Sequence, residues 1–163
     1  MQKIDNNKLP QDFKDFVLAL NEFNVEYILI GGYALGVYGH IRATSDMDIF
    51  INATKVNAEK MKNACIRFGI PIDQIVVEMF LVPKMVRIGD LPFRIEILKK
   101  LDNVDFQYAF DRKVVSEVDG IRINAISLDD LIILKKAAIK DRSVNRDKED
   151  LNYLENLIRK RKG

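Results

Sequence analysis

Two aspartates set one residue apart inside an apolar run constrain this chain more than any other feature. The run is Thr44-Ser45-Asp46-Met47-Asp48-Ile49-Phe50-Ile51. A short apolar stretch of this kind reads as a β-strand. On a strand, residues i and i+2 point the same way. Asp46 and Asp48 therefore share one face, while Met47, Ile49 and Ile51 point into a core. Carboxylates side by side repel unless a cation joins them. Such a pair suits Mg²⁺, a hard ion that binds through carboxylate oxygens and substrate phosphates.

A third acid lies in Phe93-Arg94-Ile95-Glu96-Ile97-Leu98, where Phe93, Ile95 and Ile97 alternate with Arg94 and Glu96. Glu96 is expected to face away from the core, as Asp46 and Asp48 do. If the two strands are neighbours, three acids converge. Two-metal phosphoryl chemistry uses that arrangement, one ion activating the attacking oxygen and the other steadying the leaving group.

Between and around these strands the pattern alternates. Phe13, Phe16, Val17 and Leu20 follow Pro10 at helical spacing. Tyr27 to Ile30 reads as a short strand, Gly31-Gly32 breaks it, and a short helix follows with Ala34, Leu35 and Val37. A helix capped near Thr54 is expected to reach about Phe68, with a second helical stretch from Ile72 to Phe80. Strands at Met85–Ile88 and Phe93–Leu98 come next, then a short helix near Val104–Phe110. Lys113–Val118 and Ile121–Ala125 form a hairpin through Asp119-Gly120, a strong two-residue turn signal. Ser127 with Asp130 fits a capping box opening a helix to about Lys140, and a last helix runs from about Arg146 to Arg159. The expectation is one α+β domain over residues 1–163, a mixed sheet with flanking helices (1–126) closed by a C-terminal helical pair (127–163).

Composition narrows the function classes. With 163 residues, 48% hydrophobic and 31% charged, the chain can bury a core. No segment approaches a membrane span, and Met1 to Pro10 is polar, so a cytoplasmic protein is expected. Cys65 is the only cysteine and lies on an apolar helical face with Met61 and Phe68, which excludes a disulfide and a cysteine zinc site. His40 is the only histidine and no serine sits in a nucleophile elbow, so serine-hydrolase chemistry is not expected. The net charge of +2 rests on Arg159 to Lys162, since the remainder carries 22 basic against 24 acidic residues. Basic residues there suit a helix C-terminus.

Gly31-Gly32 lets the backbone turn sharply and lets a phosphate approach exposed N–H groups at a helix start. Ile30-Gly31-Gly32, the 13 residues from Tyr33 to Ser45, and Asp46-Met47-Asp48-Ile49 together resemble the signature of the DNA polymerase beta-like nucleotidyltransferase superfamily. Gly31-Gly32-Tyr33-Ala34-Leu35, Gly39, Arg42, Thr44, Asp46 and Asp48 look like the core motif of the AbiEii-like toxins and their uncharacterised bacterial relatives. Lincosamide and aminoglycoside nucleotidyltransferases carry a similar segment. Lys135, followed by Asp147 and Asp150 on one face of the next helix, is similar to that branch's closing pattern. The resemblance covers roughly Tyr27 to Leu154. His40 follows Gly39 where the branch often has a histidine before the glycine, and Glu96 stands where many relatives have Asp.

The resemblance implies a Mg²⁺-dependent, two-metal nucleotidyltransferase. It would move a nucleoside monophosphate from a nucleoside triphosphate to an acceptor hydroxyl on an RNA end, a protein or a small molecule. Asp46, Asp48 and Glu96 are then the catalytic, metal-ligating acids, and Gly31, Gly32, Arg42, Thr44 and Lys135 the nucleotide-binding residues. The same resemblance implies a place in a toxin–antitoxin pair with an antitoxin partner protein. Two alternatives stand beside it. One is a catalytically silent nucleotide-binding or protein-interaction module of the same fold. The other is an RNA-binding module using Arg159-Lys160-Arg161-Lys162, against which stands the lack of aromatic-studded basic strands. Lys135 has a plain structural reading too, as the interhelical partner of Asp147 or Asp150.

Overall fold

The structure, a computed structural model, describes residues 9–41, 44, 46–90, 92–142 and 144–162. Helix α1 (Gln11–Glu22) starts at Pro10 and buries Phe13, Phe16, Val17, Ala19 and Leu20 along one stripe. Strand β1 (Tyr27–Ile30) is buried throughout, as a central strand should be. Helix α2 (Gly31–Val37) follows at once. Strand β2 (Asp46–Ile51) buries Met47, Ile49, Phe50 and Ile51. Helix α3 (Lys55–Phe68) is capped by the Thr54 side chain, which accepts from the Asn57 amide at 3.2 Å. It rests on α1 through the edge-on rings of Phe16 and Phe68.

Strands β3 (Val86–Ile88) and β4 (Arg94–Leu98) form an antiparallel pair. Helix α4 (Phe106–Asp111) is capped by Asp105. Strands β5 (Val114–Val118) and β6 (Ile121–Ala125) are the expected hairpin. Its turn places Asp119 at φ 51° and Gly120 at φ 79°, two successive left-handed residues whose twist matches that of the strands. Helices α5 (Leu128–Arg142) and α6 (Asn145–Lys162) pack against each other at the C-terminus.

Among the described residues, six strands make one mixed sheet in the order β3-β4-β2-β1-β6-β5. β1 runs antiparallel to β2 and parallel to β6, and β2 runs parallel to β4. The α+β class and the C-terminal helical pair are thus as expected from the sequence. No helix among the described residues is long and apolar enough to cross a membrane.

Three local details differ from the expectation. The stretch from Ile72 to Phe80 is not one helix but two short 3₁₀ turns, Ile72–Gln74 and Val77–Phe80. Ile75 and Val76 between them are extended, in keeping with a β-branched run that loses rotamer freedom in a helix. The capping box at Ser127 is half made. The Asp130 amide donates to Ser127 Oγ at 3.2 Å, but the Asp130 carboxylate is taken by Arg112. Helix α6 runs on to Lys162, so the basic end is a continuation of the helix.

Candidate functional site

The strand register decides what the acids do. β2 and β4 are parallel neighbours with Asp48 opposite Glu96 and Asp46 opposite Arg94. Alternation then places Asp46, Asp48, Arg94 and Glu96 on one face of two adjacent strands. β1 ends beside them, with Ile30 opposite Asp48, so the glycine turn lies against the Asp48 carboxylate.

Gly31 is required there on two counts. Its φ is +74°, a conformation that side chains resist, and a β-carbon on it would stand 2.4 Å from Asp48 Oδ2. Gly32 faces a similar constraint, its β-carbon falling 2.7 Å from Thr44 Oγ1. Among the described residues no side chain caps the amino end of α2. Helix α2 is pinned to α6 further along, where Tyr153 donates to the Tyr38 carbonyl at 2.8 Å and its ring stacks on His40.

The acids are not equivalent. Asp46 receives Arg94 Nη2 at 2.9 Å, and Glu96 receives Arg87 Nε at 2.9 Å, with Arg94 Nε 3.7 Å away. Asp48 faces acids instead. Its Oδ1 is buried and has no hydrogen-bond partner among the described residues. Burial is the main force raising its pKa, helped by the hydrogen bond and charge of Glu96 and by the charge of Asp46, and the result is about 7. Lys135 works in the opposite direction but does not prevail.

Lys135 is buried between the C-terminal helices. Its ammonium lies 3.1 Å from Asp147 Oδ1 and 2.9 Å from Asp150 Oδ2, and Asp150 also meets His40 Nε2 at 3.0 Å. The interhelical reading of Lys135 therefore holds, with both acids as partners. Its side chain still lines a cleft of about 890 Å³ between the sheet and the α5–α6 pair. Gly31, Gly32, Thr44, Asp46 and Asp48 line the same cleft. Arg42 lies outside the described residues.

Both the chemistry and the position of these oxygens fit a divalent cation. The donors are hard oxygens, one of them orphaned, and the cleft is wide enough for a polyphosphate. Among the described residues no three acidic, histidine or cysteine side chains form a group ready to hold a metal, and Arg94 and Arg87 hold Asp46 and Glu96. No family model matches the chain, and no curated protein matches it either.

Sequence reasoning nominated the acids and the glycines but missed the arginines on them. The signal was present, since Arg94 alternates onto the same face as Glu96. Arg146, another cleft residue, stood beside Asp147 without being singled out.

Proposed function

We propose that the chain is a divalent-metal-dependent nucleotidyltransferase that moves a nucleoside monophosphate from a nucleoside triphosphate to an acceptor hydroxyl. The observation that carries this reading is Asp48. It is a largely buried carboxylate with one unpartnered oxygen, set between Asp46 and Glu96 and pressed against a left-handed glycine at the head of a cleft.

Asp46, Asp48 and Glu96 would hold the cation, which when bound supplies charge to the phosphates and lowers the proton affinity of the attacking oxygen. The residues themselves do the positioning. Gly31 and Gly32 let the chain turn close against Asp48 and Thr44, where any β-carbon would collide, at the head of the cleft. Lys135 lines the cleft from the α5 side while its charge is shared with Asp147 and Asp150, and Thr44 borders Gly32. The acceptor oxygen bonds to the α-phosphorus, the bridging bond to the β-phosphate breaks, and pyrophosphate departs with its electron pair. The acceptor proton passes to the Glu96 carboxylate, which stands opposite Asp48 on the neighbouring strand. Catalysis of this kind is mostly alignment and charge stabilisation.

One observation favours a silent, nucleotide-binding or partner-binding module instead. Arg94 and Arg87 already neutralise two of the three acids. The acceptor class and an antitoxin partner rest on the family resemblance alone. Calorimetry with each triphosphate, with and without Mg²⁺, tests the site. Binding that needs Mg²⁺ and vanishes in the Asp46→Asn/Asp48→Asn double variant supports it, and Mg²⁺-independent binding retained by that variant refutes it. Transfer of α-labelled nucleotide to RNA, protein or small acceptors then separates the enzyme from the silent module.

A further inference from the structure

Phe93 is a large apolar side chain left 47% exposed on the wall of the cleft. Single exposed aromatics are common on protein surfaces and mean little alone. This one is braced. Its ring meets Phe13 edge-on, centroids 6.2 Å apart and planes at 86°. Phe13 is wholly buried on α1 and meets Tyr33 in the same manner at 5.3 Å and 87°. The three rings form a rigid set whose outer members, Phe93 and Tyr33, both line the cleft. Pro10 and Pro92 border them there. The Tyr33 hydroxyl is directed at the Thr44 carbonyl, 3.4 Å away. The cleft thus joins a carboxylate and glycine floor to a wall of flat apolar surface. That combination fits a molecule with a polyanionic end and a planar aromatic end.

We propose that Phe93 is the base-stacking platform of the cleft, taking the π-face of the nucleobase while the phosphates lie toward Gly31 and Asp48. The inference rests on the nucleotidyltransferase reading and adds to it how the nucleoside is recognised. A ring recognised by its face is recognised without reading its edge. The site accepts all four bases, with an advantage to purines from their larger stacking area.

The chain contains no tryptophan, so Phe93→Trp places a single indole reporter in the cleft. The probes are ATP, CTP and inorganic triphosphate, each with Mg²⁺, titrated into wild type, Phe93→Leu and Phe93→Trp. Leucine keeps an apolar contact to Phe13 but removes the π-face. Phe93→Leu should weaken ATP about tenfold, CTP less, and inorganic triphosphate by less than about twofold. Phe93→Trp should bind ATP at least as tightly as wild type, with indole fluorescence quenched by ATP and not by inorganic triphosphate. Unchanged ATP affinity in Phe93→Leu overturns the inference, as does an equal loss for inorganic triphosphate. If Phe93→Leu does not fold, the decision rests on Phe93→Trp, where ATP binding without quenching overturns it. These failures leave the nucleotidyltransferase reading standing when wild type binds inorganic triphosphate and ATP. A wild type that binds neither ligand overturns both.

Discussion

Replacing Gly31 by alanine isolates the contact between the glycine turn and Asp48. The backbone contribution comes from φ +74°, where an L-residue is disfavoured by about 1 kcal/mol. The steric contribution comes from a β-carbon 2.4 Å from Asp48 Oδ2, 3.2 Å from its Cγ and 3.3 Å from its Cβ. The carboxylate would have to retreat by about 1 Å in a crowded, largely buried position, and overpacking of that kind costs about 1–3 kcal/mol. Gly31→Ala should therefore destabilise by about 2–4 kcal/mol, lowering Tm by about 5–12 °C for a chain of this size. Thermal melts of a double-mutant cycle separate the parts. In an Asp48→Ala background only the 3.3 Å contact to Cβ remains, and Gly31→Ala should cost little more than the backbone share of about 1 kcal/mol. Equal costs in both backgrounds, or a Tm change under about 2 °C, would show that Asp48 is not packed against the turn as described.

The remaining predictions concern charge. In chelator-treated protein, the raised pKa of Asp48 contributes stability that is full below about pH 4 and lost as pH rises through about 7. Wild type should therefore lose stability relative to Asp48→Asn between about pH 4 and about pH 7, by on the order of a few kcal/mol. A pH-independent difference in Tm would contradict this. Lys99 and Lys135 make a matched pair. Lys99 Nζ is buried with no partner among the described residues, and its ammonium is disfavoured by burial. Lys99→Met should stabilise by about 1 kcal/mol. Lys135→Met would take the ammonium away from two buried aspartates and should destabilise by about 3 kcal/mol in denaturant titrations. If both changes have the same sign, the distinction between paired and unpaired lysines fails. Arg94→Gln removes the cation from Asp46, so Mg²⁺ alone should raise the Tm of this variant more than that of wild type. An equal Mg²⁺ effect would mean that Arg94 does not compete for the acids.

Much of this arrangement was legible in the sequence because it depends on a period of two. Alternation in Asp46–Ile51 and Phe93–Leu98 fixed which side chains share a face, and the structure places them so. Alternation says nothing about which strands are neighbours or in what register. That Asp48 stands opposite Glu96, and Asp46 opposite Arg94, follows from the order β4-β2-β1, which long-range packing sets. The arginine contacts were hidden for this reason, although Arg94 was visible on the right face. The stretch from Ile72 to Phe80 misled in the opposite way. Its apolar spacing suits a helix, but the β-branched Ile75-Val76-Val77 does not, and local conformation prevailed. Lys135 was read with both its outcomes, and the burial of Asp150 between His40 and Lys135 decided for the ion pair.

What marks the cleft as a site is uneven treatment of buried polar groups. Asn57 on α3, almost wholly buried, accepts from the Glu26 amide and donates to the carbonyls of Glu26 and Asn52. Asp150, fully buried, is matched by a lysine and a histidine. The chain thus has the means to satisfy a buried acid, and it uses them on α6. At Asp48 it places two more acids and a glycine that seals one side. Replacing Glu96 by a residue that donates a hydrogen bond would relieve that position, and selection for stability alone favours such a change. A sequence that pairs Asp130, Asp147 and Asp150 with cations yet keeps like charges together at Asp48 supports the proposal that a ligand completes the balance there. Under the proposed function, that ligand would be a divalent cation arriving with its polyphosphate.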